Sequence, residues 1–291
     1  MAPKLDHIVL LVPHSVLTSL PSWLTGALIV IPGGQHAGGV TENQLVLFQD
    51  GVYLEIIAFV GGHGSDEEDE RKRRAHRWGA QPEGHWIDWA ISLDAPTQAE
   101  NDAEFAETQA QVADSGSGLG YQDLVDGGRT TPDGVVLKWA TASPVALTNN
   151  KPVHGGLLPF WCIDRTDRKL RVPYATHPEQ AHHPSGAVGV ACVTLHIADA
   201  VVVDLLRKAY DVLFTRSGGD KSKDEWEVAV PETASDGRTP KLSIVHVQED
   251  KRTESGVNSW IELALFTTGP AQLIGGHIVD GWRIDIRLVP V

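Results

Sequence analysis

Near its start the chain reads Leu5-Asp6-His7-Ile8-Val9-Leu10-Leu11-Val12, and Pro13 follows directly. A short run of branched apolar residues that stops at a proline predicts a buried β-strand. Side chains alternate across a strand, so His7 shares one face with Val9 and Leu11. The first predicted strand therefore places a histidine on a face that is otherwise apolar.

The segment after this strand sets the order of elements in the first part of the chain. Residues 15–28 have the pattern of an amphipathic helix, and a glycine-rich stretch follows at 33–39. Two β-prone runs, 43–48 and 52–59, flank Asp50-Gly51, which is a strong hairpin signal. The predicted order is a strand, a helix and then several antiparallel strands.

The same order recurs twice, from about residue 86 and again from about residue 187. The later predicted elements are strands at 86–93, 135–139, 160–163, 187–197, 241–247, 259–267 and 282–288, and helices at 97–114 and 201–214. A repeated unit determines the topology, so we predict an α+β protein of three βαβββ units with one additional terminal strand.

Two connecting segments divide the chain. Residues 65–74 carry an acidic block followed by a basic block, which predicts a solvated connector or a surface helix with ion pairs, a lid over a pocket being the alternative. A second break at 176–185 separates a predicted domain of two units, 1–176, from a third unit with the terminal strand, 177–291.

Composition excludes several classes of function. Thirty-eight acidic against 24 basic residues give a net charge of −14, which disfavours nucleic acid as a partner. Two cysteines without a CxxC pair argue against a disulfide framework or a structural zinc site and favour a reducing, cytoplasmic setting. Prolines interrupt the uncharged N-terminal stretch, so we expect neither a membrane span nor a targeting segment. GxSxG, GxxxxGK[ST] and HExxH motifs are absent from the sequence.

Several segments together resemble the glyoxalase-like proteins of the vicinal oxygen chelate superfamily. They are Leu-Asp-His-Ile-Val at 5–9, Pro-Gly-Gly-Gln-His-Ala-Gly-Gly-Val-Thr-Glu-Asn at 32–43, residues 50–59, Gly-Gly-Arg-Thr-Thr-Pro-Asp-Gly at 127–134, Leu-Pro-Phe at 158–160, Arg-Val-Pro at 171–173, and His-Pro-Ser-Gly-Ala at 183–187. The resemblance implies βαβββ modules that curve a mixed sheet around a cavity. It also implies a divalent metal held near the first and last strands of each module, on a scaffold that serves many reactions.

Carried over to this sequence, the resemblance implies that His7 and Glu55 are metal ligands, one on the first strand and one on the last strand of unit one. An imidazole and a carboxylate suit Zn, Fe, Mn or Ni and leave positions open for two substrate oxygens. A site without metal is the alternative.

The sequence does not determine which residues supply the remaining metal ligands. Unit two places Trp89 and Trp161 at the corresponding positions, and an indole cannot bind a metal. Unit three aligns Cys192 with His7 and Glu262 with Glu55. If unit three faces unit one, a complete set of metal ligands results, namely His7, Glu55 and Glu262 with Cys192 or His196. If unit two faces unit one, the set is incomplete.

Glu55 and Glu262 are also candidates for a general base, because a carboxylate in an apolar strand is costly to bury without a cation or a partner. For Glu262 the alternative is that its side chain lies on a solvent-exposed face of the sheet. His36, Thr41 and Asn43 are candidate substrate-binding residues in the glycine-rich stretch, where the backbone can approach a ligand. Asn43 can instead close a turn through its own side chain.

Arg129 lies between a double glycine and a Pro-Asp-Gly turn. Its guanidinium is suited to bind a carboxylate or an enolate with two hydrogen bonds, and the alternative is that it fixes a loop.

Applied to these residues, the resemblance implies a small-molecule enzyme, a metal-dependent lyase, isomerase or dioxygenase acting on an oxygen-rich metabolite. The nine tryptophans favour an aromatic substrate. The alternatives are a metal-free binding or sequestering protein and a metal-independent cyclase or isomerase that uses the same cavity. Because an odd number of units leaves one unit unmatched, we expect its sheet edge to be covered by the terminal strand or by a second copy in a homodimer.

Overall fold

A computed structural model describes residues 2–61, 66–131, 134–219, 222–233, 237–248, 259–279 and 282–291. The strands are β1 (Lys4–Leu11), β2 (Ile31–Gln35), β3 (Thr41–Leu47), β4 (Tyr53–Phe59), β5 (His85–Ser92), β6 (Leu119–Tyr121), β7 (Val125–Thr130), β8 (Val136–Ala142), β9 (Pro144–Ala146), β10 (Lys151–Pro152), β11 (Phe160–Asp164), β12 (Ala187–Ile197), β13 (Thr215–Arg216), β14 (Glu225–Glu227), β15 (Lys241–His246), β16 (Ser259–Thr267), β17 (Gln272–Val279) and β18 (Trp282–Pro290). The helices are α1 (His14–Leu17), α2 (Ser22–Thr25), α3 (Asp66–Ala75), α4 (Gln98–Asp114), α5 (Arg168–Arg171) and α6 (Ala200–Leu213).

The first sheet joins units one and two. Its eight strands run in the order β2-β3-β4-β1-β5-β11-β8-β7, so β1 and β5 are neighbours at the centre. From the centre to the edge, the strands of unit two follow in the same order as the equivalent strands of unit one. The strand β1 pairs in parallel with β4 and antiparallel with β5. Both β1 and β4 are buried on both faces, which explains their nearly continuous apolar sequence. The predicted α+β fold with a curved sheet of βαβββ modules is confirmed.

The two outer strands of this sheet, β2 and β7, approach each other. His36 and Arg129 form an antiparallel bridge, and the backbone N–H of Ala37 donates to the carbonyl of Gly128 at 3.0 Å. These contacts nearly close the sheet, so its concave face becomes the wall of a cavity.

The expected helix over 15–28 is instead two short helices, α1 and α2. Pro21 precedes α2, and a proline disfavours helical geometry in the residue before it, so the helix cannot continue through this point. By contrast, the predicted helix at 97–114 is present as α4. Thr97 caps it in a reciprocal capping box with Glu100.

A small sheet of β10, β9 and β6 is inserted in unit two, where the sequence did not predict strands. The charged connector forms the surface helix α3 with ion pairs of the i,i+4 type, such as Lys72 with Glu68 at 2.8 Å. Among the described residues, no helix is long and apolar enough to cross a membrane.

The second sheet, of order β13-β14-β15-β12-β16-β18-β17, corrects the expected layout of unit three. The strand β16 was expected to close unit three in the role of β4. It pairs antiparallel with β12 instead, as β5 does with β1, while β15 takes the parallel position of β4. The strands β16, β17 and β18 therefore form a further half-sheet without a helix. The terminal strand β18 covers the edge of β16, and a homodimer stays a prediction.

The convex face of the first sheet packs against helices. The indole of Trp89 stacks on Phe214 with ring centroids 6.1 Å apart and donates to the carbonyl of Gly156 at 3.0 Å. Phe105 and Tyr121 pack edge-on against Trp161. This apolar layer joins α4 and α6 to the sheet and leaves the concave face free for a polar cavity.

The predicted Asp50-Gly51 hairpin connects β3 to β4, with Gly51 at a φ of 78°. The Asp50 side chain is half-buried and accepts hydrogen bonds from the backbone N–H groups of Val52 and Val190. Its burial raises the pKa of Asp50 to about 6. Because Val190 lies on β12, this carboxylate joins the hairpin to the second sheet.

Candidate active site

A cavity of about 310 Å³ opens on the concave face of the first sheet. Its polar and aromatic lining includes His7, His36, Thr41, Asn43, Tyr53, Glu55, Arg77, Trp78, Arg129, Trp139, Thr141, Phe160, Cys162 and Arg171. The structure thus brings together six of the seven sequence-predicted site residues, from both modules of one sheet.

His7 is held in one orientation by its neighbour. Its Nδ1 lies 2.6 Å from Oδ1 of Asp6, and its ring stacks on Tyr53 with centroids 4.7 Å apart. An ionised carboxylate only accepts hydrogen bonds, so Nδ1 carries a proton, and in the neutral form of the ring Nε2 is the atom with the lone pair. The acid that precedes this histidine in the sequence was a signal for this role, and the sequence analysis did not use it.

Asp6 is itself part of a buried ion cluster. Arg171 donates to both of its oxygens, at 3.0 and 2.9 Å, and Arg168 donates to Oδ2. Burial alone would raise the pKa of Asp6, but the charges of Arg168 and Arg171 and the hydrogen bond from His7 outweigh burial and hold this pKa well below its ordinary value. Asp6 is therefore a permanent anion behind His7.

Glu55 lies between two imidazoles. Its Oε2 is 3.6 Å from Nε2 of His7, and its Oε1 is 3.5 Å from Nε2 of His36. The amide of Asn43 donates to Oε1 at 2.5 Å. Asn43 therefore does not close a turn through its side chain; it fixes the carboxylate so that one oxygen faces His7.

His36 completes this group. Its Nδ1 is 2.8 Å from the hydroxyl of Thr41, and its Nε2 is 3.4 Å from the amide of Asn43. Burial lowers the pKa of His36, while the nearby charge of Glu55 opposes that shift in part. The imidazole is thus neutral at neutral pH and able to accept a proton.

The glycines of the 33–39 stretch serve side chains of the protein. A Cβ on Gly33 would lie 2.0 Å from Oδ1 of Asn43, and one on Gly34 would lie 3.2 Å from Nη1 of Arg129. Arg129 donates from Nη1 to the carbonyl of Gly33. The backbone approaches closely, as expected, but it does so to admit Asn43 and Arg129.

Unit two does not place tryptophans at the ligand positions. His7 pairs with Ala90, and Ala90 pairs with Phe160, so Ala90 corresponds to His7 and Cys162 corresponds to Glu55. The expected alignment was one residue out of register, and a shift of one residue turns every side chain to the other face. Trp89 and Trp161 consequently lie on the convex side. Trp78 and Trp139 are the tryptophans that line the cavity.

The structure does not bring Glu262 into this cavity. Unit two faces unit one, and Glu262 lies on β16 of the second sheet with its side chain 47% exposed. Its Oε2 lies 3.2 Å from Nε2 of His196 and 3.7 Å from Nη2 of Arg287. The residue that takes the place of Glu55 beside β12 is Ser243, because β15 rather than β16 corresponds to β4.

The donor set fits a divalent metal at His7 and Glu55. Two atoms with lone pairs, Nε2 and Oε2, face each other at 3.6 Å, a distance that two ligands of one ion span when each bond is about 2.0–2.2 Å. Asp6 behind His7 is the usual outer partner of a metal-binding histidine. Cys162 on β11 is a further candidate ligand, because its thiol lies with Asp6 and His7 in a group whose ligand atoms are within 4.8 Å of one another. Burial raises the pKa of this thiol, and a bound ion would oppose that shift.

Among solved structures, a hypothetical protein from Staphylococcus aureus superposes with a TM-score of 0.61 at 12% identity, over 99% of this chain and 100% of that chain. This is a likeness of fold. A 2,2',3-trihydroxybiphenyl 1,2-dioxygenase from Sphingomonas wittichii scores 0.43 at 10% identity, over 99% and 91% of the two chains. Glyoxalase I from Zea mays scores 0.30 at 11% identity, over 98% and 92%.

No curated protein matches the sequence. The family model described as a glyoxalase-like domain matches residues 5–214, which include all of the first sheet except Lys4 and every residue of the cavity. The chain therefore belongs to the glyoxalase-like domain family of the vicinal oxygen chelate superfamily.

Proposed function

We propose that the protein is a metal-dependent enzyme that acts on a small oxygen-rich molecule in the cavity of the first sheet. The observation that carries the proposal is the pair of facing donor atoms, Nε2 of His7 and Oε2 of Glu55, 3.6 Å apart. When bound there, a divalent ion supplies Lewis-acid polarisation of substrate oxygens. His7 and Glu55 occupy two positions of such an ion, so coordination positions remain for the substrate.

The residues around this pair suit a proton transfer. His36 lies beside Glu55 and its lowered pKa leaves it neutral, so Nε2 can take a proton from a carbon next to a carbonyl group. The C–H electron pair then moves to the carbonyl oxygen, which gives an enolate. If the deprotonated carbon carries a hydroxyl group, return of the proton to the former carbonyl carbon, with loss of the hydroxyl proton, yields the isomeric hydroxycarbonyl compound. If the next carbon carries a leaving group, that group departs with its bonding electron pair as a C=C bond forms, which yields a lyase product. Asn43 holds Glu55 in place throughout.

The lining supports an aromatic or otherwise flat substrate. Tyr53 and Phe160 contact the ring of His7, and Trp139 contacts His36 edge-on with centroids 5.9 Å apart. These rings keep water from the polar group and offer flat surfaces for stacking.

Metal binding by Glu55→Gln tests the proposal. We expect wild-type protein, stripped with a chelator and titrated with Zn²⁺ or Mn²⁺, to bind one equivalent, and the variant to bind at least 100-fold more weakly. Gln keeps the shape but removes the anionic ligand. Glu42→Gln is the matched control, because Glu42 lies on the adjacent strand β3 and pairs with His14 outside the cavity.

Calorimetric titration and metal analysis after dialysis give the result. Melting temperatures of both variants show whether the fold is kept. Equal metal affinity in wild type and Glu55→Gln, with both folded, would remove Glu55 from the site and with it the metalloenzyme proposal.

A further inference from the structure

Three arginines line the cavity, and two of them are paired with carboxylates. Arg77 donates to Asp88 at 2.9 Å, and Arg171 donates to Asp164 at 2.7 and 2.8 Å. Arg129 has no ion pair with any residue that the structure describes. It is thus the one arginine of the lining without a direct ion pair in the described part of the protein, although the charge of Glu55 also acts on it.

Arg129 is buried, with 7% of its surface exposed. Its Nη1 donates to the carbonyl of Gly33, which accounts for one of five N–H donors. The other four have no hydrogen-bond partner within the described ranges. Asp126, also at the cavity, does not neutralise it, since its carboxylate is 87% exposed and lies 3.6 Å from Arg165. A buried guanidinium without an ion pair favours the binding of an anionic ligand.

A second donor lies beside Arg129 on the same face of the β7–β8 hairpin. Gly127 pairs with Trp139, and a Cβ on Gly127 would lie 3.1 Å from the indole nitrogen, so the indole lies over this glycine. Among the described residues, the Nε1–H of Trp139 has no acceptor. A planar acid can therefore find a fork of guanidinium donors and an indole side by side.

The volume limits the size of the acid. The volume of about 310 Å³ lies at the lower end of the range of roughly 300–1,000 Å³ that is usual for small-molecule sites. A small acid with one ring fits this space. A single guanidinium matches the geometry of one carboxylate, with two parallel hydrogen bonds.

We propose that the substrate of this cavity carries a carboxylate and that Arg129 binds it. The proposal rests on the proposed function only in taking the cavity as the substrate site, and it needs no metal. Arg129 thus has two roles. It links β7 to β2 through its hydrogen bond to Gly33, and it selects small monocarboxylic acids over their neutral analogues.

The test compares acids with their amides on chelator-treated protein. Benzoate and benzamide, and phenylacetate and phenylacetamide, are titrated while tryptophan fluorescence and melting temperature are recorded, since Trp78 and Trp139 line the cavity. At least one acid should bind saturably and at least tenfold more tightly than its amide. Arg129→Gln should remove this preference, and Arg129→Lys, which keeps the charge but not the fork, should reduce it in part.

Arg74→Gln is the matched control for net charge, because Arg74 lies on the surface helix α3 with its side chain 67% exposed. It should bind the acids as wild type does. Equal binding of acid and amide, binding of neither acid, tighter binding of inorganic phosphate, or an unchanged preference in folded Arg129→Gln would each overturn the proposal. If Arg129→Gln does not fold, an unchanged preference in Arg129→Lys overturns it. Because no metal is present, a failed metal titration leaves this result unaffected.

Discussion

Replacement of Asp6 by Asn tests the buried ion cluster behind His7. Asp6 is fully buried and accepts charge-assisted hydrogen bonds from Arg168, Arg171 and His7. An amide keeps one acceptor oxygen but turns an NH₂ group toward groups that themselves donate. Breaking a buried ion pair by removing one partner costs about 3–5 kcal/mol. For a chain of this length that corresponds to a decrease in melting temperature of roughly 10 °C.

The stabilisation that Asp6 provides depends on pH, because the pKa of Asp6 is lowered in the folded protein. The pKa of Asp6 is held well below its ordinary value in the folded protein, whereas an aspartate in the unfolded protein has a pKa of about 4. As the pH falls through about 4, the unfolded state takes up a proton that the folded state does not, so the stabilisation by Asp6 is lost. The stability gap between wild type and Asp6→Asn should be constant above about pH 5 and shrink below about pH 4.

Urea unfolding between pH 7 and pH 3.5 measures the gap. Asp164→Asn is the control, since Asp164 pairs with Arg171 but makes no described contact with His7. Both variants should lose stability, but only Asp6→Asn should also weaken metal binding, by roughly 10- to 100-fold, as loss of the outer partner of a metal-binding histidine does. A variant as stable as wild type at pH 7, or a gap that does not change with pH, would refute the account of the cluster.

Three further variants test other parts of the fold. Trp89→Ala should lower stability by about 3–5 kcal/mol in urea unfolding while metal affinity stays unchanged, because the indole is buried on the convex face away from the cavity; an effect on metal affinity alone would contradict this placement. Gly33→Ala should weaken metal binding, since its Cβ would displace Asn43, and a titration equal to wild type would show that Asn43 does not position the carboxylate of Glu55. Thr97→Ala should cost about 1 kcal/mol through the lost cap of α4, and an unchanged unfolding midpoint would rule out that contribution.

The sequence predicted the first half of the site because local patterns determine it. His7 and Glu55 stand in strands that are otherwise apolar, and alternation along each strand assigned both to one face. The inner apolar cluster that includes Val9, Leu11 and Ile57 shows that this assignment is right. The position of these strands and the face on which each side chain lies can therefore be predicted from a single sequence.

The second half was not within reach, because it depends on pairing between distant strands. The register of β5 against β1, interrupted by bulges, decides that Ala90 and not Trp89 stands opposite His7. The assignment of Glu262 failed for a related reason: its strand has the composition of a closing strand, and only its partner β12 shows that it opens a new half-sheet. Register and partner choice depend on contacts that a local pattern does not contain.

The contact of Asp50 with Val190 is one of several links between the site strands and the region after residue 186. The backbone N–H of Gln49 donates to the carbonyl of Val188 at 3.1 Å, and the backbone N–H of Leu5 donates to the carbonyl of Ala229 at 2.7 Å. Leu5 precedes the Asp6–His7 pair, and Asp50 precedes the strand of Glu55, so both ligand strands are anchored outside their own sheet. Partial unfolding of the region after residue 186 would therefore release His7 and Glu55 before the first sheet itself opens. The second sheet would govern how often the site is assembled, and amide hydrogen exchange of β1 and β4 would follow the opening of β12.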